Sequence, residues 1–245
     1  MECAGASRLR PLRLSPWRVV EAQHLVSTRK LVDSVEEHAV LEELIEASKP
    51  PRSVAGHRHV LLATPFRYPP LRHGSRFGAR YEPGLWYGSE SHRALFAEVA
   101  YYRLLFLEGT AADLDIVTTW HTAFTVRMRT ERGIDLTRAP FGAHRESIAS
   151  PSAYTDTQAL GRDMREAGVE AFRYPSARDR DGGVNIGVFT AAVFGSARPR
   201  QLETWHSSAT RQAVDLVRHD FSGASTFTFR REQFLVDGRL PAPAV

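Results

Sequence analysis

An α+β fold is the class this sequence predicts. Strand-like segments gather toward both ends of the chain, and helix signals do not alternate regularly with them. The chain has 245 residues, 42% of them hydrophobic and 24% charged, enough for one sizeable core.

The elements follow in order. Residues 1–16 are rich in Arg and Pro without periodicity and are expected to form a flexible arm. Trp17 to Thr28 mixes apolar and polar residues, as a strand or a short helix would. Ser34 and Glu37 have the spacing of a capping box, and Leu41, Leu44, Ile45 and Ser48 follow on one helical face. Lys49-Pro50-Pro51 ends that helix. Val60 to Thr64 reads as a short buried strand, stopped by Pro65, Pro69 and Pro70. A loop with Gly74, Gly78 and Gly84 leads to a brief strand at Leu85–Gly88.

A second helix starts after Ser91, its expected N-cap. Leu95, Val99, Tyr102 and Phe106 fall on one stripe that is expected to be buried, with Glu98 at its edge. Phe124 to Arg129 alternates as a half-buried strand does, and Gly133 is expected to turn the chain. A third helix opens at Thr155 or Asp156 and runs through Met164, with Gly168 just beyond its end. Val169–Tyr174, Val184–Phe194, Gln201–His206, Ala213–Arg218 and Thr226–Phe234 read as strands, with a turn at Gly182-Gly183.

Composition narrows the function. The net charge is +4, and Lys30 and Lys49 are the only lysines, so nearly every cation is arginine. The arginines are dispersed, and the dense basic run of a nucleic-acid binder is missing. No stretch approaches the roughly 20 apolar residues of a membrane helix. The start has no apolar signal segment, and Cys3 stands alone, so a cytoplasmic location is the expectation. His57 and His59 share a strand-like spacing, but nothing supplies a third ligand at a usual distance, so no metal is expected. Neither a phosphate-cradling Walker loop nor a Gly-x-Gly-x-x-Gly turn is present, so a bound NAD would not be a hydride carrier.

Three segments carry the most information. They are Gly74-Ser75-Arg76-Phe77-Gly78, then Leu85-Trp86-Tyr87-Gly88 with Ala94-Leu95-Phe96-Ala97-Glu98, then Tyr174-Pro175-Ser176-Ala177. The last is preceded by Thr157-Gln158-Ala159-Leu160-Gly161 and followed by Asn185. In this order and spacing, from about Trp17 to Phe194, the chain resembles the RES domain of bacterial RES–Xre toxin–antitoxin pairs. Its Glu stands one residue later than in some members.

The resemblance implies a single catalytic domain over 17–245, with a core similar to the diphtheria-toxin-like ADP-ribosyltransferases. It implies NAD as a substrate whose nicotinamide–ribose bond is broken, with water or inorganic phosphate as acceptor and no resident cofactor. Arg76, on its Gly-rich loop, is the candidate grip on the pyrophosphate, with Arg80 as the alternative. Glu98 is the candidate catalytic carboxylate beside the developing oxocarbenium charge. Tyr87 would stack on nicotinamide. Ser176 would bond the substrate or hold Glu98, and Asn185 would join the binding set. A separate Xre-type helix-turn-helix antitoxin, in a toxin–antitoxin complex or beside a homo-oligomer, is the implied partner. Two other readings stay open: transfer of ADP-ribose to a protein, and an inactive RES-like module that only binds, nucleic acid included.

Overall fold

A computed structural model describes residues 9–22, 31–48, 58–68, 73–220 and 223–242. Ten strands make one sheet: β1 (Arg10–Leu14), β2 (Trp17–Glu21), β3 (Trp86–Ser89), β4 (Val117–Thr125), β5 (Met128–Asp135), β6 (Ala171–Pro175), β7 (Val184–Val188), β8 (Arg200–Ala209), β9 (Ala213–Asp220) and β10 (Gly223–Arg230). Their spatial order is β1-β5-β6-β7-β3-β2-β4-β8-β9-β10. β5 and β6 run parallel, and the other neighbours are antiparallel. Five α-helices accompany the sheet: α1 (Val35–Ser48), α2 (Val60–Arg67), α3 (His92–Gly109), α4 (Arg145–Ile148) and α5 (Thr155–Glu166). The fold is therefore mixed α+β.

The sheet is weakest at its centre. β2 meets β3 at a single pair, Trp17↔Ser89, yet it pairs with β4 at every residue from Trp17 to Glu21. Beyond that pair the ladder opens, leaving two half-sheets joined at one corner. One face of both halves rests on a shared core of Leu62, Trp86, Phe124, Ile186, Val188 and Phe194. On the other face the halves have separate cores. α3 covers the β4–β8–β9 side, where its Phe96, Tyr101 and Leu104 meet Trp205 of β8, while Ile148 of α4 and Leu160 of α5 cover the β5–β6 side with Phe77 and with Phe172 of β6.

Local signals explain most element ends. The Glu37 amide donates to Ser34 Oγ at 3.0 Å, and the Glu37 carboxylate accepts from the Ser34 amide at 3.3 Å, which closes the expected capping box of α1. Ser91 Oγ accepts from the Ala94 amide at 3.2 Å and starts α3. Gly168 takes φ +70° just after α5, a left-handed turn that favours glycine.

Several expectations are corrected. Part of the expected arm, Arg10–Leu14, is the edge strand β1, held by antiparallel pairing with β5. Val60–Thr64 belongs to helix α2, not to a strand. A short apolar run does not distinguish the two by periodicity, and here His59 Nδ1 caps the Leu61 amide while Thr64 bonds back to the Val60 carbonyl. Gly133 lies inside β5 and makes no turn. A Cβ there would sit 2.4 Å from the Leu12 side chain, so the glycine lets β1 close onto β5. The run Phe124–Arg129 breaks at Val126 and Arg127, where β4 ends and β5 begins. The expected strand to Phe194 stops at Val188. The expected α3 stripe is core only in its first half: Leu95 is buried and Val99 packs on the core, whereas Tyr102 and Phe106 are 50% and 56% exposed.

Candidate functional site

A cleft of about 790 Å³ lies over the opening between β2 and β3. Its walls come from α3, from the loop at His73–Arg76, and from β2, β3 and β7. Arg76, Tyr87, Glu98 and Asn185 all line it. Residues far apart in sequence thus meet at the corner where the half-sheets join.

The chemistry centres on Glu98. Helix α3 starts beside β3 and projects Glu98 across the cleft toward β7. Asn185 Nδ2 donates to Glu98 Oε1 at 3.0 Å, and Asn185 Oδ1 accepts from Ser89 Oγ at 2.6 Å. Ser89 and Asn185 are cross-strand partners and both are buried. An ionised carboxylate only accepts, so it fixes the amide with its NH2 toward Glu98 and its oxygen toward Ser89. Sequence reasoning assigned no role to Ser89. Its signal is its place two residues after Tyr87, on the same face of a strand.

The loop that bears Arg76 is held from three sides. Gly74 takes φ +75°, and the Ser75 amide donates to the Gly78 carbonyl at 2.7 Å. Gln158 Nε2 on α5 donates to the His73 and Ser75 carbonyls, at 3.1 Å each. α5 comes this close because a Cβ at Gly161 would lie 2.1 Å from the Phe77 carbonyl oxygen. From the cleft side, Tyr87 Oη bonds Ser75 Oγ at 2.9 Å and accepts from the Phe77 amide at 3.1 Å. Burial pushes the Tyr87 hydroxyl above its usual range, and still more so that of Tyr174 beside it. Tyr87 therefore offers the cleft its ring while its hydroxyl braces the loop.

Arg76 is buried in the wall. Its Nη1 donates to the Ser150 carbonyl at 2.7 Å and the Ile148 carbonyl at 3.3 Å, and its guanidinium lies 4.5 Å from the Tyr154 ring centre. No acidic side chain pairs with it among the described residues. Arg80 is exposed against the Tyr81 ring and does not line the cleft. Ser176 does not reach Glu98 either. Its Oγ accepts from the Arg178 and Asp179 amides at 3.2 and 3.1 Å, so it ties the turn after β6, while Asn185 makes the contact expected of Ser176.

Sequence reasoning missed Arg18. It crosses the opening from β2 to donate from Nη1 to the Tyr87 carbonyl at 2.6 Å, replacing a bond the interrupted ladder lacks. Burial pulls its guanidinium down to about 10. Among the described residues no group of three or more His, Cys, Asp or Glu is arranged to hold a metal ion. His57 lies outside those residues, and His59 serves as the cap of α2. No helix among the described residues is long and apolar enough to cross a membrane.

Compared with known protein families, residues 49–210 match the RES domain, about two thirds of the 245-residue chain. No curated protein matches the chain.

Proposed function

The chain belongs to the RES domain family, and from that premise we propose that it cleaves the nicotinamide–ribose bond of NAD. The observation that carries this reading is the Glu98 carboxylate, held over the cleft by the Asn185–Ser89 pair. As the C–N bond lengthens, its electron pair leaves with nicotinamide and the ribose becomes oxocarbenium-like. A fixed carboxylate facing that carbon stabilises the new positive charge more than it stabilises the ground state. Water or inorganic phosphate then attacks the anomeric carbon. Water yields ADP-ribose and a proton, and phosphate yields ADP-ribose 1″-phosphate.

The remaining residues fit this role. The Tyr87 ring, with Tyr174 beside it, offers an aromatic face for nicotinamide. Arg76 spends one terminal nitrogen on carbonyls and keeps further donors for a phosphate oxygen. The split between β2 and β3, with a cleft above it, supports the likeness to ADP-ribosyltransferases. We read the expected domain 17–245, together with strand β1, as one catalytic domain, because β1, β2, β9 and β10 lie outside the matched span yet belong to the same sheet. Membership also carries the expectation of a paired Xre-type antitoxin that restrains the activity.

A mass-balance assay tests the reading. Purified protein is incubated with NAD, with and without phosphate, and the products are separated by chromatography. Nicotinamide release is expected, and the accompanying sugar names the acceptor. Label retained on protein in place of free ADP-ribose would redirect the reading to protein modification. Intact NAD with folded, antitoxin-free protein would overturn it.

A further inference from the structure

The cleft extends well beyond the residues that surround Glu98. α3 and β2 run side by side along it. His92 at the start of α3 packs on Trp17, with ring centres 4.1 Å apart, and Arg103 near its end is ion-paired with Glu21 at the end of β2. From Glu98 to Phe106 the helix advances about 12 Å at 1.5 Å per residue. Every group named at that outer end lines the cleft: Glu21, Arg103, Phe106 and His121. The catalytic reading uses none of them.

Their chemistry is specific. Phe106 is 56% exposed on a helix whose opposite side is packed, so its ring is an uncovered apolar face. Beside it the ion pair joins one Arg103 nitrogen, Nη2, to one Glu21 oxygen, Oε1. That leaves a second carboxylate oxygen to accept and further guanidinium hydrogens to donate. An adenine edge offers the counterpart, an amino group that donates beside ring nitrogens that accept. A bare apolar patch would not distinguish a base from any greasy ligand. An aromatic face with a donor and an acceptor at its margin does.

We propose that the outer end of the cleft is a purine-base subsite, with Phe106 stacking on the base and Glu21 and Arg103 reading its edge. It rests on the reading of the inner end as the place where nicotinamide–ribose is cleaved, and it assigns the other half of the dinucleotide. Its consequence is selectivity. The subsite gives affinity for the adenylate half and none for nicotinamide mononucleotide, which lacks that half.

The test uses binding, so it stays readable even if NAD cleavage fails. AMP and nicotinamide mononucleotide are each titrated calorimetrically into the wild type, Phe106→Ala and Phe106→Tyr. Loss of base stacking should weaken AMP in Phe106→Ala by roughly tenfold or more. Phe106→Tyr, which keeps the ring, should bind AMP like the wild type, and nicotinamide mononucleotide should bind all three proteins alike. No AMP binding to the wild type, equal AMP binding to Phe106→Ala, or a parallel loss of both ligands would overturn the proposal. Absence of nicotinamide release in the mass-balance assay, with the AMP pattern intact, would instead sink the catalytic reading and leave the subsite standing.

Discussion

The two sides of α3 are both apolar, yet only one is core. The side turned to the sheet carries Phe96, Ala100, Tyr101, Leu104 and Leu107, all buried, against Trp205, Val214 and Leu216. The side turned to the cleft carries Val99, Tyr102 and Phe106, of which the last two are half exposed or more, together with Glu98. Burying an apolar group and lining a binding cleft call for the same residue types. Periodicity finds such stripes but does not say what covers them. The contrast also separates stability from function: changes on the sheet side should unfold the protein, and changes on the cleft side should disable it.

Leu104→Ala should have the largest effect on stability. It removes a fully buried side chain beneath the helix and should cost about 2–5 kcal/mol, measured by denaturant unfolding. Phe106→Ala, two residues on, should cost within about 0.5 kcal/mol, as exposed substitutions do. Equal losses from the two would erase the distinction between the faces.

Glu98→Gln should have the largest effect on turnover. It keeps size and polarity but removes the charge that meets the oxocarbenium, and kcat for nicotinamide release should drop about 10²–10³-fold. The midpoint of unfolding should stay close to that of the wild type. Near-normal turnover would take Glu98 out of the mechanism.

Ser89→Ala should act on the same carboxylate at one remove. It leaves Asn185 Oδ1 buried without its donor, a loss of about 1–3 kcal/mol, and frees the amide to turn its oxygen toward Glu98. An oxygen there repels the carboxylate and loosens its hold over the cleft. The value of kcat should therefore fall roughly tenfold while KM stays near that of the wild type. Ser89→Thr, which keeps a hydroxyl, should restore kcat. An equal loss of kcat in Ser89→Thr, or a rise in KM alone, would reduce Ser89 to a packing role.

The features legible in sequence are local ones. The capping box at Ser34, the cap at Ser91 and the left-handed Gly168 each involve residues within a turn of one another. The motif order brought Arg76, Tyr87, Glu98 and Asn185 to attention, and the structure gathers those residues at one cleft. Long-range pairing was not legible. The Asn185 contacts to Glu98 and Ser89 span 87 and 96 residues. Arg18 acquires its place only because the ladder between β2 and β3 opens beside it. Ser176 shows the reverse case: a motif named the residue, and its oxygen accepts from two amides of the turn that follows it, a local tie that the motif did not disclose.

An effect that only a change of pH discloses probes the floor of the outer cleft, where packing and binding surfaces meet. His121 on β4 lines the cleft and yet is buried, with Nε2 at 2.9 Å from Ser207 Oγ. Burial first, and then the nearby Arg103, lower its pKa from 6.5 to about 4. The folded state thus holds it neutral where the unfolded chain already binds a proton. Its contribution is fully present above pH 6.5 and is lost as the pH falls toward 4, below which both states are protonated. The slope of stability against pH from this one group is at most about 1.4 kcal/mol per unit within that window. His121→Gln, which does not titrate, should flatten the dependence of unfolding free energy on pH between about 4 and 6.5 while leaving the slope above that window unchanged. An unaltered slope would mean that water reaches the ring from the cleft, and the outer floor would then belong to the binding surface and not to the core.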